Sequence, residues 1–315
     1  MTGKVTVAAG DILLIYRKQL GDLVLLQPAI QHLAERYGRA IQVRTRPGFA
    51  DLLDLMPGHV RLADGRGAKI SDVFCFDTKL SSVADALRVF PARRNLLLTR
   101  AAERGWWWPL MFQKIWRADG RQDYRAKVFF RAVGGDVFQP PRLTPPPPAW
   151  MPTDLPERYL VVHPTSAWRR KTWPAASWVA LLSRLVPALD CPVVITAGTE
   201  PWEQEMAGAI ARGLPTDGAR LAGKTSLRAY LAVLSRAQAV LTVDGSASHL
   251  ASAFGRRTLT LFGPTNPVHW HHPTRRSRRL WAGDFLQERK PAVGAIPVEA
   301  ALAVTEELLE EPADG

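Results

Sequence analysis

The chain has 315 residues, 47% of them hydrophobic, which is enough for two ordinary domains with cores and too apolar for a disordered segment. Its longest apolar runs, such as Ile12 to Tyr16, fall far short of the roughly 20 residues a membrane span needs, and no secretory leader is evident, so a cytoplasmic address is expected. A formal net charge of +12 calls for anionic partners without choosing among nucleic acid, phospholipid headgroups and phosphorylated glycolipid. Only Cys75 and Cys191 occur, each within a short apolar run, which fits buried free thiols better than a disulfide or metal framework.

In chain order, Ile12 to Tyr16 reads as a strand followed by a loop reaching Gly21-Asp22. A helix follows, with Leu23, Leu26, Ile30, Leu33 and Ala34 at helical spacing until Gly38 stops it. Strands are expected at Ile41 to Thr45, Val73 to Phe76 and Asn95 to Thr99, with a helix near Ser81 to Phe90. Between Arg93 and Arg131 ten Lys or Arg stand against three acids, with Trp106, Trp107, Trp108 and Trp116 among them. This stretch reads either as a surface for lipid headgroups or as a solvated basic helix over a tryptophan core.

From Gln139 to Pro156 eight prolines in 18 residues form a semi-rigid linker. Beyond it, strands at Tyr159 to His163, Val193 to Ala197, Ala239 to Val243 and Thr258 to Phe262 alternate with helices near Ala175 to Leu189, Trp202 to Arg212, Leu227 to Arg236 and His249 to Phe254. Val298 to Glu310 makes a last helix. Such alternation marks βαβ units and parallel sheets. The expected fold class is α/β: a Rossmann-like domain over 1–138, the linker over 139–156, and a second Rossmann-like domain over 157–315 whose last helix can pack back on the first.

Ligands of open parallel sheets bind beyond the carboxyl ends of the strands, and four such loops carry chemistry. Asp22, beside a glycine turn, serves either as a helix N-cap or as a general base for an approaching hydroxyl. Thr165 and Ser166 followed by Arg169, Arg170 and Lys171 form either an anion cradle or a solvated basic loop. Asp244-Gly245-Ser246-Ala247-Ser248-His249 opens a helix whose amides suit a diphosphate. Asp244, which would repel a bare phosphate, there becomes an acceptor for sugar or ribose hydroxyls, with His249 as a donor; the alternative is an ordinary Asp cap and a buried histidine. Gly263-Pro264-Thr265-Asn266-Pro267 is on its own only a tight turn. No two aspartates stand one residue apart, so the usual carboxylate grip on a metal-bound diphosphate is missing, and no cofactor is expected. His269, His271 and His272 crowd one loop without metal-ligand spacing and read as surface or acceptor-side residues.

Taken in this order, the loops resemble glycosyltransferase family 9, the heptosyltransferases of lipopolysaccharide core synthesis, over nearly the whole chain. The resemblance rests on Leu20-Gly21-Asp22 with Pro28-Ala29, His163-Pro164, Lys171-Thr172-Trp173-Pro174, Gly223-Lys224-Thr225-Ser226-Leu227, Asp244 through His249-Leu250-Ala251, and Phe262-Gly263-Pro264-Thr265. It departs from the family in the order Gly245 then Ser246, and in lacking cysteines between Trp281 and Ile296. The resemblance implies a GT-B fold, with two Rossmann-like domains facing each other across a cleft. It further implies ADP-heptose or a similar nucleotide sugar as donor, an acidic glycolipid as acceptor, and metal-independent inversion, with peripheral contact at the cytoplasmic face of the inner membrane. Asp22 would be the base. Thr165, Ser166, Lys171, Asp244, Gly245, Ser246 and His249 would hold the donor, as would Glu203, preferred over Glu200. Arg61, Arg93 and Arg94 would meet the acceptor. Another nucleotide sugar or surface-glycan acceptor, and a sugar-nucleotide epimerase of the same architecture, are the alternatives. A nucleic-acid partner is not expected, because the basic tryptophan region matches no reader module and the strand-end loops would go unexplained.

Overall fold

The computed structural model describes residues 10–58, 60–63, 69–90, 92–98, 107–117, 123–189, 191–215, 219–221 and 225–310. The chain divides into two compact units, Met1–Pro141 and Arg142–Gly315, so the division falls inside the proline-rich segment.

Unit 1 is built on β1 (Asp11–Ile15), β2 (Ile41–Arg44), β3 (Val60–Leu62), β4 (Ile70–Cys75), β5 (Arg93–Leu98) and β6 (Lys114–Arg117). They form one parallel sheet in the order β3-β2-β1-β4-β5-β6. The central strand β1 is buried along Ile12 to Ile15, as a strand covered on both faces must be, and so reads as an unbroken apolar run. Its helices are α1 (Leu20–Val24), α2 (Gln27–Tyr37), α3 (Ala50–Leu53), α4 (Leu80–Arg88), α5 (Trp108–Met111) and α6 (Arg125–Ala132). The single helix expected from Leu23 to Gly38 is in fact two. Pro28 lies in the first turn of α2, where its missing N–H costs nothing, and Gly38 ends α2 in the left-handed region at φ 63°.

Unit 2 repeats the plan with β7 (Leu160–His163), β8 (Val193–Ile195), β9 (Ala219–Leu221), β10 (Ala239–Val243), β11 (Arg257–Phe262) and β12 (Ser277–Trp281). Their parallel order, β12-β11-β10-β7-β8-β9, is the same connectivity as in unit 1. Around it lie α7 (Ala175–Leu189), α8 (Pro201–Arg212), α9 (Leu227–Arg236), α10 (Ser246–Ala253), α11 (Pro267–Trp270) and α12 (Val298–Glu310). The end of the proline segment is fastened to this unit. Leu143 N–H donates to the Ala253 carbonyl at 2.9 Å, and Arg228 lies over the Trp150 ring at 5.2 Å. Helix α12 packs on α7, β11 and β12.

One core cluster of unit 2 gathers Leu160, Val162, Trp173, Trp178, Leu182, Leu241 and Leu302. Trp173 is fully buried, meets Trp178 edge-on at 5.1 Å, and donates its indole N–H to the Ile296 carbonyl at 3.1 Å. That bond ties the β7–α7 loop to the segment preceding α12. Trp173→Ala should therefore cost about 3–5 kcal/mol in chemical denaturation of the chain, and a loss under 1 kcal/mol would show that this packing is not integral.

Candidate functional site

In each sheet the strand order reverses beside its first strand, between β1 and β4 in unit 1 and between β7 and β10 in unit 2. Such a reversal opens a crevice at the carboxyl ends of the strands. In unit 2 three loops converge there on one carboxylate. Lys171, at the end of a short 3-10 turn after β7, places Nζ 2.6 Å from Asp244 Oδ2, and Thr265, after β11, donates its hydroxyl to the same oxygen at 2.6 Å. The Lys171 and Asp244 side chains are 15% and 3% exposed, so the charges lie in a largely desolvated setting. Lys171 and Arg170 lie over the Trp168 ring, at 4.9 and 4.6 Å, and Arg169 lies over Trp202 at 4.9 Å.

Next to this pair α10 begins. Gly245 is its N-cap, so Asp244 is not a helix cap, and Ser248 Oγ donates back to the Gly245 carbonyl at 2.8 Å. A Cβ on Gly245 would come to 3.2 Å from Ser166 Cβ, so a side chain there would press the loops after β7 and β10 apart by a few tenths of an ångström. Thr165 is fully buried, and its hydroxyl has no hydrogen-bond partner among the described residues. A buried polar oxygen of this kind, at a strand end beside a helix N-terminus, is a feature of a ligand site. The hydroxyl of Ser246 lies against Tyr230, whose phenol burial pushes up. His249 is buried in α10, with its ring 6.3 Å from Trp270.

Glu203 lies on the β8 side. Its Oε2 accepts from Glu200 N–H at 3.2 Å in the capping box of α8, and its carboxylate fills the space against Gly198, whereas Glu200 is exposed. His163 closes β7, buried, with Nδ1 2.9 Å from Thr196 Oγ1. His272 is also buried rather than at the surface, and His271 is half-buried, 3.2 Å from Ser277 Oγ. Among the described residues no group of three or more His, Cys, Asp or Glu is placed to hold a metal ion. Gly223 and Lys224 of the glycine-lysine stretch lie outside the described residues, as do Trp106 and Thr99.

In unit 1, Asp22 is half-buried in the first turn of α1. Gln19 occupies the N-cap, so Asp22 does not cap. Its carboxylate neighbours the hydroxyl of Tyr16, which is buried at the end of β1; burial, followed by the nearby Asp22 charge, holds that phenol well above its ordinary pKa. The Tyr16 ring packs edge-on against Phe129 at 6.1 Å. The loops after β1 and β4 are knitted together: Arg17 N–H donates to Asp77 at 2.8 Å, the Arg17 guanidinium meets Asp85 at 2.5 Å, and Lys79 Nζ donates to the Arg17 carbonyl at 2.8 Å. Sequence reasoning missed Tyr16, which reads there as one more strand residue, and missed Thr265, whose turn carried no chemistry of its own.

The three arginines expected at the acceptor are not brought to Asp22. Arg61 pairs with Asp11, the first residue of β1, at 2.5 Å; Arg93, the first residue of β5, pairs with Asp72 at 3.0 Å. Arg94 donates to the Val89 carbonyl at 3.4 Å. Arg93 and Arg94 open β5 and Arg61 is the middle residue of β3, with Asp11 and Asp72 holding two of them, whereas Asp22 follows the carboxyl end of β1. Elsewhere in unit 1, Trp107 is exposed, Trp108 is buried, and Lys114 lies over the Trp116 ring at 3.8 Å. No helix among the described residues is long and apolar enough to cross a membrane.

Two parallel sheets of identical connectivity, the second with an anion-suited carboxyl edge, define a GT-B-like α/β protein. The family model described as glycosyltransferase family 9 (heptosyltransferase) matches residues 118–291, and the chain belongs to that family. It is 31% identical over 169 residues to lipopolysaccharide heptosyltransferase 3 of Escherichia coli K12, a match covering 50% of this chain and 48% of that one. The chain thus spans about half the length of the curated relatives it matches. In fold it is similar to a family 9 glycosyl transferase from Veillonella parvula, with TM-score 0.80 and 17% identity over 95% of this chain and 97% of that one. It is likewise similar to the E. coli heptosyltransferase WaaC solved with ADP, with TM-score 0.76 and 18% identity over 95% and 99%.

Three histidines held neutral by burial should make unit 2 acid-sensitive. Burial pushes His163 down to about 4, His271 to about 4 and His272 to about 3. An unfolded histidine takes up its proton near pH 6.5, so below that pH the unfolded chain binds more protons than the native one and stability falls with pH. Denaturation midpoints should decline from about pH 6.5 to about pH 4, and His163→Gln should remove about one proton from that slope. An unchanged slope in this variant would show that His163 is not held neutral.

Proposed function

We propose that the chain transfers a heptose from ADP-heptose to the inner core of lipopolysaccharide, inverting the anomeric carbon without a metal on the diphosphate. The observation that carries the reading is the convergence of Lys171, Asp244 and Thr265 beside the start of α10 and the unpartnered Thr165 hydroxyl. There the diphosphate would accept from the amides at Gly245 and Ser246 and from the hydroxyls of Thr165 and Ser166. Lys171 would move from Asp244 to a phosphate oxygen. Asp244, with Oδ1 used by neither Lys171 nor Thr265, would accept a donor hydroxyl. His249 would add a donor, and the turn of Glu200 and Glu203 would meet the nucleoside. Family membership and the ADP bound by the fold relative WaaC support adenine as the base.

In the chemical step Asp22 takes the proton of the acceptor hydroxyl as its oxygen bonds to the anomeric carbon. The bond from that carbon to the phosphate oxygen breaks, and ADP leaves with the electron pair, its charge stabilised by Lys171 and the α10 dipole. The neighbouring Tyr16 phenol, kept protonated by its burial, would help orient the Asp22 carboxylate. An acidic glycolipid acceptor, met by the protein at the inner-membrane surface, accords with the charge of +12.

Purified protein given ADP-heptose and a Kdo- or heptose-bearing lipid A should release ADP in step with glycosylated product. Turnover only with another nucleotide sugar would shift the donor, and no turnover with any would overturn the reading. Asp22→Asn should lower kcat by roughly 10²- to 10⁴-fold while donor affinity by calorimetry is kept; a near-normal rate would remove Asp22 as base. Lys171→Ala should instead weaken donor binding by about tenfold or more, and unchanged affinity would place the diphosphate elsewhere.

A further inference from the structure

Arg169, Arg170 and Lys171 follow one another on the loop after β7, and Asp244 holds the last of them. The local backbone decides where the three charges go. Trp168 is the N-cap of the 3-10 turn Arg169–Lys171, and its carbonyl accepts from the Lys171 N–H at 2.9 Å. Residues three apart eclipse in such a turn, so Lys171 folds back over the Trp168 ring, with Nζ 4.9 Å from the ring centre. The Arg170 guanidinium lies 4.6 Å from the centre of the same ring, and Arg169 lies over Trp202, in the first turn of α8, at 4.9 Å. Two indoles therefore hold the arginines by the attraction of a cation for a ring face.

The arginines differ from Lys171 in their surroundings. Both are exposed, and their guanidinium groups make no hydrogen bond or ion pair among the described residues. Arg170 thus carries a charge that no acid offsets, on the very ring that also holds the cation of the donor site. Trp168 is 50% exposed, so its ring can hold a long side chain without trapping it. Its N–H donates to Ser166 Oγ at 3.3 Å, which ties this turn to the hydroxyls beside the start of α10.

Charge balance gives Arg170 a task. A nucleotide-sugar diphosphate carries two negative charges, and the nucleoside diphosphate gains a third as it leaves the sugar. Lys171 supplies one positive charge, but Asp244, 3% exposed, lies beside it and offsets that charge. The start of α10 adds about half a positive charge. The diphosphate would be left short of cation in a setting where water screens poorly. On the donor reading above, on which this rests, we propose that Arg170 is the second cation of the diphosphate, turning from the Trp168 ring to grip phosphate oxygens, and that Trp168 is the positioning residue that keeps it beside Lys171. A guanidinium fork matches two phosphate oxygens, and an indole face carries no net charge to repel the incoming phosphate, as a carboxylate partner would.

The test is calorimetry of the full chain with ADP at several salt concentrations. Arg170→Gln should weaken ADP binding by roughly tenfold or more and flatten its salt dependence, with the melting temperature of the unliganded protein unchanged; Arg170→Lys should recover part of the loss. Arg169→Gln removes an equal charge from the neighbouring indole and should weaken ADP by less than about threefold. Trp168→Leu should reproduce part of the Arg170→Gln loss, and Trp168→Phe, which keeps an aromatic face, should restore affinity. Unchanged ADP affinity in Arg170→Gln would overturn the proposal, as would equal losses in Arg169→Gln and Arg170→Gln, which would reveal a general field instead of a contact. Unchanged affinity in Trp168→Leu would remove the positioning role. If Lys171→Ala weakens ADP while Arg170→Gln does not, the donor reading stands and this proposal alone fails; if neither variant weakens ADP, the donor site itself is misplaced.

Discussion

A lysine ammonium and a carboxylate held 2.6 Å apart, 15% and 3% exposed, are costly to take out of water, and such pairs often fail to recover that cost by Coulomb attraction alone. Here Thr265 adds a hydrogen bond to the same oxygen, and Trp168 places its ring beneath the ammonium. The pair therefore does more than join two residues: it draws the loops after β7, β10 and β11 onto one point. Glycine at 245 lets the first two touch, and α10 starts where they meet. A diphosphate arriving there would find a cation and helix amides already placed, with Asp244 and Thr265 as the fixtures Lys171 leaves behind.

The two units use one connectivity, and their carboxyl edges gather hydroxyls, Asp22, Asp244 and Lys171 just beyond the strands. In unit 1 the other side of the sheet holds arginines against carboxylates, Arg61 on Asp11 and Arg93 on Asp72.

The central strands were legible in the sequence, because strands buried on both faces are continuous apolar runs: β1, β7, β10 and β11 lie within a residue of where the pattern puts them. All four edge strands escaped notice. β3 (Val-Arg-Leu) and β9 (Ala-Arg-Leu) are three residues long, and basic residues interrupt β6 (Lys-Ile-Trp-Arg) and β12 (Ser-Arg-Arg-Leu-Trp), which erases the apolar signal. In the site, the glycine, hydroxyl and charge pattern of each loop was readable, but the pairing of residues 73 and 21 positions apart was not. Thr265 and Tyr16 acquire meaning only through those folded neighbours. The arginines at 61, 93 and 94 show the converse: net charge gives the sign of a partner, while the edge of the sheet on which a cation falls depends on which acid holds it.

The most direct measurement is a crystal structure of the chain with ADP. The account requires a phosphate oxygen within hydrogen-bond reach of both Lys171 Nζ and the first-turn amides of α10, with Asp244 still bonded to Thr265. ADP bound with its phosphates away from Lys171 and α10, the Lys171–Asp244 pair undisturbed, would contradict it.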